Sequence, residues 1–409
     1  MRRPLQRSLE RAMAAGLFGL VLSAGADAGV LGAEPREEGG VAEASDLDRA
    51  EVRLLGRVEP LLGKVEEASF EALSLRLDGA RVEIGWDRVV RMSGPGAEKA
   101  AEFLELAEKA WRSRQRLERG DFVLAEAGFE ELFGVYAGRL GPTAQAVAEG
   151  ALRCRLRRGA HASAIGPWLM LLQAGGGGRP VFDGVPAVVD PETGLCPAIP
   201  PIWTETTGVR QLAERGITLP SGVELTDERA ALLGAWYRYA AAATVGDRQD
   251  RPSNSDDPSV RLVAELVLAQ HGTSVERSEN RDRLRQRLER SRAGRATTPA
   301  WLEAWIYAAI GRSLVRENDE AERLRGVVTM LHLPARFADE QPFLAGLCLA
   351  EAAEAMDELG RGETAGHLRA ELRRRYPGHP AGDDAPGGNG PIRGVTMNSP
   401  PAGGGQDHR

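Results

Sequence analysis

The sequence predicts a mainly α-helical protein built of helical hairpins, preceded by a small antiparallel β module. Three observations predict it. From Ala97 onward, apolar residues recur at helical spacing between glycine-marked turns. Between Val52 and Met92 the period drops to two. The abundance of Ala, Leu, Glu and Arg favours helix over sheet.

The best-formed hairpin signal runs from Leu347 to Pro380. Leu349, Ala352, Ala353, Met356 and Leu359 make one apolar stripe, and Gly360 supplies a residue able to close a helix C-terminus. Ala365, Leu368, Leu372 and Tyr376 make a second stripe, after which Pro377 blocks continuation. The punctuation recurs: Gly120 is followed by Ala125 and Phe129, and Gly159 by Ala164 and Trp168. Gly360, Ala365 and Pro377 match the spacing of the tetratricopeptide repeat, which this stretch resembles. Leu349 and Arg369 stand where that family carries its two helix aromatics, and Gly120 and Gly159 lie 39 residues apart rather than about 34. The resemblance implies an irregular TPR-like α-solenoid.

Before the helices, Leu73, Leu75 and Leu77 alternate with polar residues, Asp78-Gly79 follows, and Ala80, Val82 and Ile84 alternate again. Two period-two runs joined by Asp-Gly predict a β-hairpin. A lone hairpin is marginal in water, so Val52–Leu55, Lys64–Val65 and Trp86–Val90 are expected to add strands. The pattern is similar to that of SH3-like barrels; a curled sheet or a β flap packed on the first helices fits it as well.

The N-terminus carries Arg2, Arg3, Arg7 and Arg11, an apolar core from Ala12 to Ala24, and Ala26-Asp27-Ala28 before Gly29. That is the layout of a secretory signal peptide, with an apolar core shorter than the ~20 residues a membrane span needs. The division expected is a signal peptide (1–28), a linker (29–47), the β module (48–94), hairpins (97–173), a Gly/Pro-rich insert (174–205), further hairpins (206–377) and a disordered tail (378–409). Within the insert, six prolines between Pro180 and Pro201 exclude a helix or a central strand, and its apolar residues predict packing against the helices. Helix starts are expected with Thr226 as a cap, at Asp257-Pro258 and at Thr298-Pro299. Ala321, Leu324, Val328 and Leu331 are expected to form a buried stripe ending before Pro334.

The chain has 409 residues, 42% of them hydrophobic and 27% charged, with a formal net charge of −7. Nothing in that balance points to nucleic acid. Signal cleavage would remove four arginines against Glu10 and Asp27, making the chain more acidic; no transmembrane segment is expected in the mature chain. Cys154, Cys196 and Cys348 are too few and too scattered for a disulfide framework; buried free thiols are expected, with a 154–196 bridge the alternative.

Catalytic signals are absent. The six histidines lie apart, with no H-E-x-x-H, paired-cysteine, G-x-S-x-G or phosphate-loop arrangement, so no catalytic, cofactor or metal residue is assigned. Asp190 and Glu192 flank Pro191 as in a turn. The arginines between Arg281 and Arg292 alternate with Glu279, Asp282 and Glu289, as on a solvated helix face.

The resemblance implies a non-enzymatic scaffold or adaptor, exported to the periplasm or beyond, that binds a protein or peptide partner through its helical-repeat surface. Trp203, Trp236 and Tyr239 are the candidate partner contacts; Trp203, after two prolines, is expected at a surface or groove, with burial under the insert competing. Two other classes remain: an α/α-toroid enzyme acting on polysaccharide, and a self-associating structural envelope protein.

Overall fold

A computed structural model describes residues 48–176, 181–295 and 297–382. The expected signal peptide, the linker and residues 383–409 of the tail lie outside them.

Five antiparallel strands form the β module: β1 (Ala50–Leu54), β2 (Leu61–Ala68), β3 (Leu73–Leu77), β4 (Ala80–Ile84) and β5 (Val89–Ser93), in the spatial order β4-β3-β2-β1-β5. The predicted hairpin is β3–β4, with Leu77 opposite Ala80. Its turn residues Asp78 and Gly79 both take positive φ (47° and 87°), which matches the right-handed twist of the flanking strands. β2 serves two neighbours. Its start pairs with β1, and beyond Gly63 it pairs with β3 through an irregularity between Val65 and Glu67 that bends the strand. β4 is an edge strand, so of its alternating residues only Ile84 is buried and Val82 stays open.

A 3-10 turn, Trp86–Arg88, leads into β5 and anchors the module. Trp86 is buried, stacks on Phe103 with ring centres 5.3 Å apart, and donates its indole N–H to the Ser69 carbonyl at 2.7 Å. Its backbone N–H donates to the Thr143 hydroxyl (3.0 Å), which in turn donates to the Glu71 carbonyl (2.7 Å). Strands and first helices therefore share one packed junction.

Twelve α-helices follow among the described residues: α1 (Leu104–Glu118), α2 (Phe122–Tyr136), α3 (Gly141–Arg157), α4 (His161–Gln173), α5 (Thr207–Arg215), α6 (Glu228–Val245), α7 (Pro258–His271), α8 (Ser274–Arg292), α9 (Ala300–Val315), α10 (Glu320–Arg336), α11 (Pro342–Glu358) and α12 (Gly362–Arg375). Each packs on the next, and α1 on α3, α4 on α6, α7 on α9 and α9 on α11. Gly120, Gly159 and Gly360 turn the chain with φ of 82°, 75° and 70°, and Ala125, Ala164 and Ala365 are fully buried.

Three boundaries differ from expectation. Asp227, not Thr226, caps α6: its carboxylate accepts from Ala230 N (2.8 Å), while the Thr226 N–H is taken by Gln173. α10 passes through Pro334 to Arg336; the helix ends within two residues, so the strain is confined to its last turn. Residues 378–382, expected in the disordered tail, instead fold back on α11, with His379 buried against Phe343.

The insert forms part of the central core. Phe182, Val189, Leu195, Cys196, Ile199, Ile202 and Trp203 are all buried with the helix cores. A segment with no ladder of its own must have its carbonyls satisfied from outside. Trp168 donates to Gly194 (3.0 Å), Tyr237 to Ile199 (2.6 Å), Ser259 to Thr193 (2.8 Å), Gln341 to Pro197 (3.0 Å) and Arg312 to Trp203 (2.8 Å). These donors come from α4, α6, α7, the α11 cap and α9, so the helices curl round the insert. The first turns of α4 and α11 meet, with the rings of His161 and Phe343 4.3 Å apart. All three cysteines are buried free thiols, and burial pushes those of Cys154 and Cys196 up to about 12.

Candidate partner-binding groove

α9 carries apolar residues all round (AWLEAWIYAAIGRSLV), so it needs cover on every side. Most of it receives that cover from α7, α10, α11 and the insert. On one side Tyr307, Ile310 and Leu314 form the floor of an open groove of about 660 Å³, walled by α8 and α10. The groove follows from the composition of α8. That helix buries Asn280, Arg281, Leu284 and Leu288 and is otherwise polar or charged apart from the exposed Val275 in its first turn, so it has no apolar face to turn towards α10.

The expected stripe of α10 is where sequence and structure part. The buried face is Gly326, Val327, Met330 and Leu333. Leu324 and Val328 line the groove instead, and Val328 is 61% exposed. α10 therefore has two apolar faces, only one of them covered. The rim is mostly basic. Arg285 is paired within α8 to Asp282 (3.0 Å), Arg325 is paired within α10 to Glu322, and Arg292 donates to the Tyr307 hydroxyl. Of the three guanidinium groups only Arg292 is held by a hydroxyl rather than a carboxylate, and Glu289 is the one carboxylate on the lining itself.

On the far side of α9 lies a second concavity of about 460 Å³, between its last turn, the start of α10 and α11. Its walls are charged: Arg312, Arg316, Arg323, Glu317, Glu351, Glu354 and Glu358. Arg312 is almost fully buried and is shared by Glu351 (2.6 Å), the Gln270 amide oxygen (2.7 Å) and the Trp203 carbonyl. Burial, followed by the neighbouring Glu351 carboxylate, pushes the Glu354 carboxyl up.

The sequence-assigned contact residues lie elsewhere. Trp203 and Trp236 are fully buried and present no side-chain surface to a partner; Tyr239 is half-buried. Trp203 packs edge-on against Tyr237 and Trp236 against Tyr239, so the three do not form one patch. The expected surface position of Trp203 is overturned because the prolines before it carry the chain into the core. The groove residues were missed because Leu324 and Val328 read as core at helical spacing; the sparse apolar content of α8 was the available signal. Among the described residues, no three His, Cys, Asp or Glu side chains gather as a metal site, and no helix is long and apolar enough to cross a membrane.

No protein-family model, curated protein or solved structure matches this chain.

Proposed function

We propose that the chain is a non-enzymatic scaffold, exported after signal cleavage, that receives an acidic amphipathic segment of a partner protein in the groove between α8 and α10. The observation that carries this reading is the second apolar face of α10, open over the apolar floor of α9. A helix-sized apolar groove binds amphipathic helices through regularly spaced anchors. Arg292, held at the rim by the Tyr307 hydroxyl rather than by a carboxylate, favours an acidic flank on the bound segment. The TPR-like reading is supported by the shared punctuation at Gly120, Gly159 and Gly360 and by the alternate-helix packing. The SH3-like reading of the β module is supported by its strand order and by the 3-10 turn before β5.

One observation favours the toroid alternative, the approach of α4 to α11. Against it, the insert fills the space where a saccharide would lie. The test is fluorescence anisotropy with a labelled amphipathic model peptide of leucine and glutamate at helical spacing. Binding that weakens with salt and is abolished by Val328→Glu supports the proposal. No binding at several hundred micromolar, or equal binding by Val328→Glu, rejects it. Saturable oligosaccharide binding at the array centre would favour the toroid, and self-association on a sizing column that Val328→Glu reverses would favour the structural role.

A further inference from the structure

We propose that the charged cleft on the other side of α9 binds a small dipolar ligand carrying both a carboxylate and an ammonium group, the chemical class of amino acids and short peptides. The cleft and the partner groove share no lining residue, so the two readings stand or fall separately.

Most charges of the cleft are already paired. Arg312 holds Glu351, Arg323 holds Glu358, and Glu317 is held by Arg281 at 2.7 Å. Two lining groups form no direct ion pair among the described residues. Arg316 donates to the Gln270 carbonyl and lies 3.5 Å from His271 Nδ1, a neutral imidazole, with no carboxylate in ion-pair reach. Glu354, on α11, forms none either; the cations that act on it are Arg369 of α12, itself paired to Asp357, and Arg312. A third group is half satisfied: Nε of Arg323 is buried with no acceptor. A buried donor left without an acceptor is costly, and a ligand oxygen is one way to satisfy it.

Both side chains are partly covered and partly open to solvent, and each sits among like charges that disfavour its own. The Arg316 guanidinium is held below its usual range by burial, then by the cation Arg312, with Glu351 opposing and Arg277 adding to the effect. Glu354 is pushed up by burial, then by Glu351. A carboxylate arriving between Arg316 and Arg323 relieves the first, and an ammonium at Glu354 relieves the second. Neither a plain anion nor a plain cation does both. An anion alone faces the Glu351, Glu354 and Glu358 carboxylates; a cation alone faces three arginines. The apolar lining is limited to Val315 and Ala355, too little for a hydrophobic ligand, and about 460 Å³ accommodates a dipeptide.

The test is isothermal titration calorimetry on the full chain with alanyl-alanine and two analogues, N-acetyl-alanyl-alanine, which lacks the ammonium, and alanyl-alanine amide, which lacks the carboxylate. The dipeptide is expected to bind, and each analogue to bind at least about tenfold more weakly, the loss of one charge-assisted hydrogen bond. Glu354→Gln, at an exposed position, is expected to leave the fold intact, to weaken the dipeptide and not to weaken N-acetyl-alanyl-alanine, which loses an opposing carboxylate. Absence of heat up to about 10 mM dipeptide, far above a millimolar Kd, overturns the proposal. So does binding of either analogue as tight as that of the dipeptide, or a Glu354→Gln variant that weakens all three ligands alike.

Discussion

Asp87 and Arg114 meet at 2.5 Å with both side chains almost wholly removed from water, one from the 3-10 turn of the β module and one from α1. Arg114 also reaches Glu118 (2.8 Å) and Asp183 of the insert (3.3 Å), and its guanidinium lies over the Phe182 ring. Strands, first helix and insert therefore converge on one guanidinium. Burial pushes the Asp87 carboxyl up, and Arg114 is the main opposing influence. Arg114→Met leaves that carboxylate buried without a counter-charge, which is expected to cost about 3–5 kcal/mol. The double variant Asp87→Leu/Arg114→Met should recover much of this loss, since two apolar groups of matching volume replace a desolvated pair. Urea unfolding of the three proteins checks both; a double variant no better than the single would assign the loss to Glu118, Asp183 or packing.

Gly311 of α9 and Gly326 of α10 form a close helix crossing. A Cβ on Gly311 would stand 2.4 Å from Met330 Cγ, and one on Gly326 would stand 2.8 Å from the Gly311 carbonyl oxygen. The second contact is with backbone, so it cannot be relieved by a rotamer change. Gly326→Ala is expected to destabilise by about 1–3 kcal/mol through forced separation of the helices. Gly134→Ala on α2, where nothing lies within 4 Å, should be neutral or stabilising by up to about 1 kcal/mol. Thermal melts of the pair decide whether the crossing is as tight as described.

Local chemistry was legible wherever its causes lie within a few residues. Asp78-Gly79 specifies its own turn, and Asp257 caps α7 through Ser259 and Val260. What could not be read depends on distant partners. The insert carbonyls find donors such as Tyr237, Arg312 and Gln341, up to 144 positions away, so the pattern indicated packing without placing the segment at the centre. On α10 both Val327 and Val328 are apolar, and which one faces α9 is set by the Gly311–Gly326 crossing rather than by periodicity. The groove was hidden by the same ambiguity, because an apolar residue awaiting a partner looks like a core residue until its neighbours are known.

Arg312 ties the insert to the helices and also lines the charged cleft. Arg312→Met removes the donor to the Trp203 carbonyl and the Gln270 amide oxygen together, and strips Glu351 of its partner. The expected loss is about 3–5 kcal/mol, as for other broken buried charge networks. Because the Trp203 indole lies in the core nearby, its emission should shift to the red as the insert loosens. Limited proteolysis should then cut between residues 181 and 203 first. A destabilised variant whose insert remains as resistant as the helices would mean that Arg312 acts through α11 instead.

Acid stability should be governed in part by buried histidines. The His161 imidazole is lowered to about 4, first by burial and then by His379; that of His271 is lowered to about 2 by burial, Arg312 and Arg316. Burial also lowers His379. In the unfolded chain all three return to an ordinary value near 6.5. The unfolded state therefore binds protons first as the pH falls. The stability held by these neutral rings is fully present above pH 6.5 and is lost from there down through about pH 4 for His161, and lower still for His271. Asp87 and Glu149 act in the opposite sense, since burial raises their carboxyls and their protonation favours the folded state at low pH. A difference measurement isolates the histidine contribution. His161→Phe should keep the ring contact with Phe343 while deleting the proton site. The melting temperature of the parent chain should fall more steeply than that of His161→Phe between pH 6.5 and 4; parallel curves would mean that His161 titrates as it does in water.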